Sequence, residues 1–469
     1  MISVAKLVAR PLGFLLLTSA LVLAPLALPH LRSGGMAWAD DHNDGGDGGG
    51  DDDDDDGGGA ASRAGRDASG RSGPGRTTGP LRRLLRGQAP VTAQRPPAVV
   101  LPRFAPEIVV TDLTATDRAL LLAEGFAVIA DDRLPGIGPE PGSTITRLSA
   151  PPAVSLDSAR ARVRLLPSGI EADLNHYYRS GQAGDALLPV TAPTPCTAEI
   201  CAAQQMIDWP ENRATCPVTV TVGVIDTGVN AAHQMLEGAQ IRVVTLADTT
   251  QDPSRAVHGT AVVSLLAGAA TSRVPGLIPE ARLIVADVFG RGGGDERADV
   301  VSVMKALHLM ASEGVRVVNM SLAGPENTVL DQAISRFTAT DGMVIVAAAG
   351  NGGPDAAAAF PASHPGVVAV TAVDGRTRIY NRAQRGDHLD LAAPGVNLLL
   401  ATSVSGARLQ TGTSFAAPFV TAAAAVLLSQ GLTRDEVSAR LTATARDLGR
   451  AGADPIFGNG LLSAARLCG

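Results

Sequence analysis

The sequence predicts an α/β protein: a mostly parallel sheet with helices on both faces, preceded by a small α+β domain. Three observations predict it. Beyond residue 197, Val- and Ile-rich runs alternate with amphipathic or Ala-rich stretches of helical length, and several of those runs are continuously apolar. Strands buried on both faces read that way, whereas half-exposed strands alternate. Between 106 and 180 the elements read β-α-β-β-α-β. The chain of 469 residues is 45% apolar, enough for a sizeable core and more than one domain.

Residues 1–39 read as a secretory signal. Lys6 and Arg10 precede the apolar stretch Gly13–Leu28, and Ala37-Trp38-Ala39 supplies a small-x-small cleavage pattern. An uncleaved anchor is the alternative, but the stretch is short for a span. A secreted or periplasmic location follows, with no stable membrane span after signal removal. Residues 40–105 are low in complexity. Ten Asp and no base fall between Asp40 and Asp56, and an Arg-, Gly- and Pro-rich stretch follows. Such a segment repels itself and has little to bury, so it reads as a solvated tail. The acidic run lacks the spacing and turn glycine of a calcium loop. The run Asp40–Asp56 carries −10, residues 1–39 carry +3 and the rest of the chain is balanced, which gives the net charge of −7. No basic stripe marks a nucleic-acid partner.

Residues 106–180 form the small domain. Glu107–Leu113, Phe126–Ala130, Ser143–Leu148 and Ile170–His176 read as strands. Thr116–Glu124 and Ser155–Leu166 read as helices, the second capped by Ser155. The order is ferredoxin-like. Residues 181–196 read as a linker. Cys196, Cys201, Cys216 and Cys468 are an even count in an exported chain, which suggests disulfides with three possible connectivities. No second Cys/His pair completes a zinc site around Cys196 and Cys201, so no metal is predicted.

The domain from 197 to 469 carries the chemistry. Strands are expected at Val218–Ile225, Ile241–Ala247, Ala281–Val288, Val315–Met320, Met343–Ala348 and Val367–Ala372. Helices are expected at Asp299–Ser312, Asp331–Ala339 and Ser414–Ser429. Open α/β sheets place ligands at the C-terminal ends of strands. Four motifs lie at strand ends or helix starts: Asp226-Thr227-Gly228, His258-Gly259-Thr260, Gly350-Asn351-Gly352 and Gly412-Thr413-Ser414. Singly, each is more often a turn or a cap. Together they supply a hydroxyl nucleophile, a base, a carboxylate to orient it, and amide donors for an oxyanion.

From about Trp209 onward the chain resembles the subtilisin-type serine proteases, whose order is also Asp, His, Ser. The resemblance implies that Asp226 orients, His258 is the general base and acid, Ser414 is the nucleophile and Asn351 is an oxyanion donor beside the Ser414 N–H. It implies that Ser321, Leu322 and Ala323 pair with a peptide as an added strand. Ala348, Ala349 and Gly350 would wall the specificity pocket, and Asn319 would support the strand from behind. Phe360-Pro361 would close the pocket's far end, where Ala359 in place of Gly narrows it. Ala261 replaces a second His that often follows the catalytic one. The loop from Ala270 to Pro275 lacks the Asn and Asp oxygens of the family's strong calcium site, so no cofactor is expected. His176, His233, His308, His364 and His388 match no catalytic motif. The resemblance also implies that the small domain is an intramolecular propeptide and that the linker is cut. The expected function is an exported serine endopeptidase, made as an inactive precursor and acting as a monomer on protein or peptide substrates. The alternatives are a non-catalytic binding module on the same fold, or a surface protein acting through the Asp tract.

Overall fold

The computed structural model describes residues 100–137, 141–181, 199–212, 216–273 and 275–468. The signal, the low-complexity stretch up to residue 99 and all of the expected linker but Gly181 lie outside them.

The first strands and helices are β1 (Phe104–Thr111), α1 (Ala115–Ala123), β2 (Ala127–Arg133), β3 (Thr144–Ser149), α2 (Leu156–Arg164) and β4 (Asp173–Ser180). Ser155 caps α2 by accepting from the Ser158 N–H, as its position before an amphipathic run implies. One face of the antiparallel sheet β2-β3-β1-β4 buries Ile108, Val110, Leu148 and Leu174 against Leu121, Ala159 and Val163 of the two helices. This is the ferredoxin-like arrangement. The last strand runs four residues beyond the expected His176, to Ser180.

The rest comprises α3 (Glu199–Met206), β5 (Val222–Asp226), β6 (Gln240–Thr245), β7 (Asp252–Pro253), α4 (Val257–Ala267), β8 (Arg282–Asp287), β9 (Phe289–Gly292) and β10 (Asp295–Asp299). Then come α5 (Val300–Ser312), β11 (Val317–Met320), β12 (Leu322–Ala323), α6 (Thr328–Ala339), β13 (Val344–Ala348), β14 (Val367–Val373) and β15 (Leu391–Pro394). The hairpin strands β16 (Leu398–Ala401) and β17 (Ala407–Gln410) precede α7 (Thr413–Ser429) and α8 (Arg434–Thr444). Seven strands make a parallel sheet in the order β15-β14-β13-β11-β5-β8-β6. The β5, β11 and β13 strands are buried along their whole length, as their unbroken apolar runs require.

The Ala-rich helix α7 is buried from Thr413 to Leu428 and packs on the sheet beside α4. Side chains such as Phe415, Phe419 and Leu427 each contribute about 1.5–3 kcal/mol by burial. Small Ala side chains let the helix lie close to the strands. The α6 helix begins at Thr328, earlier than expected, because Asn327 caps it by accepting from the Leu330 N–H.

The small domain's sheet does not end at its own edge. The β4 strand pairs antiparallel with β10 on one side, and with β12 beyond it. Cys216 and Cys468 form a disulfide with Cα atoms 5.3 Å apart. Cys196 lies outside the described residues, and of Cys201 only the backbone in α3 is described. No helix among the described residues is long and apolar enough to cross a membrane.

Asp390, just before β15, is partly buried and accepts from the Ala369 N–H at 2.8 Å. Burial pushes its pKa up to about 6, against the effect of that hydrogen bond. An unfolded Asp titrates near 3.9. The folded chain therefore holds this proton more tightly; the stabilisation is full below about pH 4 and is lost as the pH rises through about 6. Asp390→Asn keeps the accepting oxygen and removes the ionisation. Its gain in urea midpoint over wild type is expected to be larger at about pH 7.5 than at about pH 4.5. An equal difference at both would contradict this.

Candidate active site

The β5 strand ends at Asp226, whose side chain is fully buried. Its carboxylate accepts the Thr227 N–H at 2.7 Å and faces His258 Nδ1 at 2.8 and 3.0 Å. His258 lies in the first turn of α4. That helix has Ala256, which cannot cap it, before its first residue. Thr227 does so instead from the neighbouring loop, its Oγ1 accepting the Gly259 N–H at 2.8 Å. Close approach makes glycine necessary here: a Cβ on Gly259 would lie 2.3 Å from the Thr227 carbonyl oxygen. The Asp-Thr-Gly and His-Gly-Thr motifs are thus two halves of one joint.

Ser414 lies in the first turn of α7, after Gly412, which offers no side-chain cap. Both Ser414 Oγ and His258 Nε2 are buried with no hydrogen-bond partner among the described residues, so the contact expected between them is not closed in this structure. Such contacts are often long before a reacting complex forms. The Phe415 ring packs against the imidazole, with centroids 5.3 Å apart.

Asn351 follows β13. Its Oδ1 accepts from the Thr413 N–H at 3.0 Å and the Thr413 hydroxyl at 3.1 Å. This fixes the amide and aims Nδ2 outward, where it donates to the Gly181 carbonyl at 2.6 Å. Thr413 Oγ1 also accepts the Gly350 N–H at 3.1 Å. Thr413 was not singled out from the sequence. Its place between the Gly and the Ser of one motif was the available signal.

Ser321 lies between β11 and β12, and its side chain turns inward rather than toward a peptide. Its hydroxyl accepts from Asn319 Nδ2 and donates to the Ser414 carbonyl, both at 2.9 Å. Pro418 makes that second bond possible. A non-proline residue there would give its N–H to the carbonyl four residues back, which is that of Ser414. Asn319 Oδ1 in turn accepts from Thr421 Oγ1 at 3.1 Å, so β11 is tied to α7 at two points.

Leu322 and Ala323 pair with Ser180 and Arg179 of β4, so an internal segment occupies the strand position expected for a peptide. On the other side, Ala298 and Asp299 pair with Tyr178 and Tyr177. Tyr178 is fully buried and donates its hydroxyl to the Pro325 carbonyl at 3.1 Å. Gly181 follows directly. A Cβ on it would lie 2.1 Å from Asn351 Nδ2 and 3.2 Å from Ser414 Oγ.

Ala348 ends β13 and Ala349 continues its line, giving its N–H to the Val370 carbonyl at 3.0 Å. Gly350 has φ +106°, and a Cβ there would lie 1.6 Å from Gln384 Oε1 and 3.2 Å from the Ala359 methyl group. Gln384, held by its amide to the Ala357 carbonyl, backs this wall and was missed from the sequence. Phe360 exchanges two backbone hydrogen bonds with Gly324.

Asp287, paired with Asp226 across β5 and β8, is a further carboxylate that the motifs did not mark. Burial raises its pKa to about 6. The Asp226 charge adds to that, while Ser254, donating at 3.1 Å, opposes it.

Residues 218–460 match the subtilase family. Curated relatives include subtilisin DY of Bacillus licheniformis, 34% identical over 238 residues, which are 49% of this chain and 85% of that protein. Subtilisin BL of Lederbergia lenta is 31% identical over 273 residues, 55% of this chain and 98% of that one. A thermophilic serine proteinase of Bacillus sp. (strain AK1) is 32% identical over 228 residues, and there the chain spans 56% of the relative's length. Among solved structures, the protease domain of PatA matches with a TM-score of 0.48 at 27% identity, covering 54% of this chain and 94% of that one. The protein class is that of the serine endopeptidases. The chain belongs to the subtilase family.

Thr413→Ala removes one of the two donors to Asn351 Oδ1 and leaves the Thr413 N–H. For the oxyanion role expected of Asn351, a less firmly held amide stabilises the charge less, so kcat is expected to fall about tenfold with KM little changed, and Thr413→Ser to retain most of the rate. Steady-state kinetics on a peptide substrate checks this.

Proposed function

We propose that this chain is made as a self-inhibited precursor and hydrolyses peptide bonds through Ser414, His258 and Asp226. Ser414 Oγ attacks the carbonyl carbon while His258 Nε2 takes its proton. Asp226 holds the other ring nitrogen and stabilises the imidazolium. The tetrahedral oxygen is held by Asn351 Nδ2 and the Ser414 N–H. His258 then returns the proton to the leaving amine, and water, activated by the same imidazole, releases the acyl group.

The observation that supports this reading is the placement of Gly181. Its carbonyl oxygen accepts from Asn351 Nδ2 at 2.6 Å, and Ser414 Oγ lies beside it. The segment before it adds a strand between β10 and β12, which is a common way for a groove to hold an extended peptide. The bond after Gly181 is therefore the one we assign to self-cleavage, and 104–181 is the inhibitory segment. The lack of room for a Cβ at Gly181 supports a site that takes glycine before the scissile bond. The roles of Ser321 and of Leu322 and Ala323 divide: the first braces the nucleophile's helix, the others hold the substrate backbone. Residues 1–39 serve export, giving a secreted or periplasmic enzyme that acts as a monomer on protein substrates.

The full-length chain and its Ser414→Ala variant are incubated side by side. The wild type is expected to split into two pieces and to react with a serine-directed fluorophosphonate, while the variant does neither. Intact, unlabelled wild type would overturn the reading.

A further inference from the structure

The groove that holds β4 does more than pair with backbone. Arg179, two residues before Gly181, reaches Asp295 at the start of β10. Its Nε donates to Asp295 Oδ1 at 3.0 Å and its Nη2 to Oδ2 at 2.6 Å, a two-pronged contact. Such planar pairing is directional as well as strong. The Asp295 side chain is only 5% exposed, against 28% for Arg179. The contact is thus anchored on a buried carboxylate, unlike a surface ion pair of negligible worth.

Asp295 has a second partner within its own lobe. Arg297 Nη1 donates to Oδ2 at 3.1 Å. Among the described residues, Oδ1 has Arg179 as its only side-chain donor. Burial alone would raise the Asp295 pKa, yet Arg179 and then Arg297 hold it below the ordinary value. When the β4 segment leaves, Arg297 still neutralises the carboxylate in part, but Oδ1 loses its donor. Water then reaches Oδ1, and a peptide that displaces that water must supply a donor or leave the acceptor unmet, so one that carries an arginine there is favoured. Arg297 Nη1 also donates to the Gly292 carbonyl at 3.3 Å, a contact that remains when β4 leaves and limits its freedom to swing round and cover Oδ1. Arg179 has one further contact, from Nη2 to the Pro102 carbonyl at 2.6 Å, and that belongs to the departing domain.

We propose that Asp295 is a specificity residue that selects substrates with arginine at the third position before the scissile bond. The proposal rests on the reading of Gly181 as the residue before that bond. The internal segment Tyr178-Arg179-Ser180-Gly181 is then a template for external substrates: extended peptides with a basic residue two positions ahead of a glycine. A site built around a polar contact rejects partners that lack it more strongly than an apolar pocket rejects a change of size.

The full-length chain, allowed to process itself, is assayed on the peptide Tyr-Arg-Ser-Gly-Gln-Ala and on versions with Ala or Glu in place of Arg. Expected is a kcat/KM at least about tenfold higher for Arg than for Glu, with Ala between them, and a ratio that shrinks as salt is added. In Asp295→Asn, which keeps the shape and an oxygen for Arg297, the Arg-to-Glu ratio is expected to fall toward one. Should that variant fail to process, the wild-type peptide ratios and their salt dependence still decide. Equal rates for the three peptides, or an unchanged ratio in Asp295→Asn, would overturn this proposal while leaving the protease reading intact. Absence of any cleavage, together with absence of fluorophosphonate labelling, would overturn both.

Discussion

The need to pair the backbone groups of β4 sets the arrangement of everything around Ser414. A strand that reaches past its own sheet carries N–H and C=O groups that must find partners or water. Here β10 lies on one side, and β12 lies beside the last two residues. With both neighbours fixed, the chain has no freedom about where Gly181 falls. Its carbonyl meets the Asn351 amide, and the small domain becomes an insert in the larger one's groove. Tyr178 and Arg179 add side-chain anchors on opposite faces of the same strand, one into a buried apolar site and one onto a carboxylate.

The groove can hold that geometry because its walls are tied to the sheet and to α7. Asn319, Ser321 and Thr421 bridge β11 and the helix that carries Ser414. Thr413 bridges the same helix to Asn351. Preorganisation of this kind keeps donors aimed where charge develops, without reorganising during the reaction. Pro418 belongs to the same device, since its missing N–H frees the Ser414 carbonyl for Ser321.

Much of this was legible from residues alone. Strands buried on both faces declare themselves by unbroken Val/Ile runs, as at β5, β13 and β14, and the four site motifs cluster at their ends and at helix starts. What stayed hidden was whatever depends on a partner far away in sequence. The Gly- and charge-rich stretch of β9 and β10 has no strand pattern of its own; its two strands pair with each other, and β4 lies against Ala298 and Asp299. The expected last strand stops at His176 for the same reason: nothing in Tyr177 to Ser180 marks a strand until β10 and β12 are known to flank it. Ser321 stands in a substrate-strand motif, yet its hydroxyl points into the core, which local spacing does not reveal. Gln384 and Asp295 belong to no motif, and only tertiary packing brings them to the groove.

The central claim is that the chain's own segment lies across the site as a substrate would, with Gly181 at the reacting position. The most direct measurement is the N-terminal sequence and intact mass of the earliest large fragment formed by the purified full-length chain. The account predicts a fragment that begins at Gln182. A first cut at any other bond, whether upstream of β4 or further into the segment before Cys196, would contradict it.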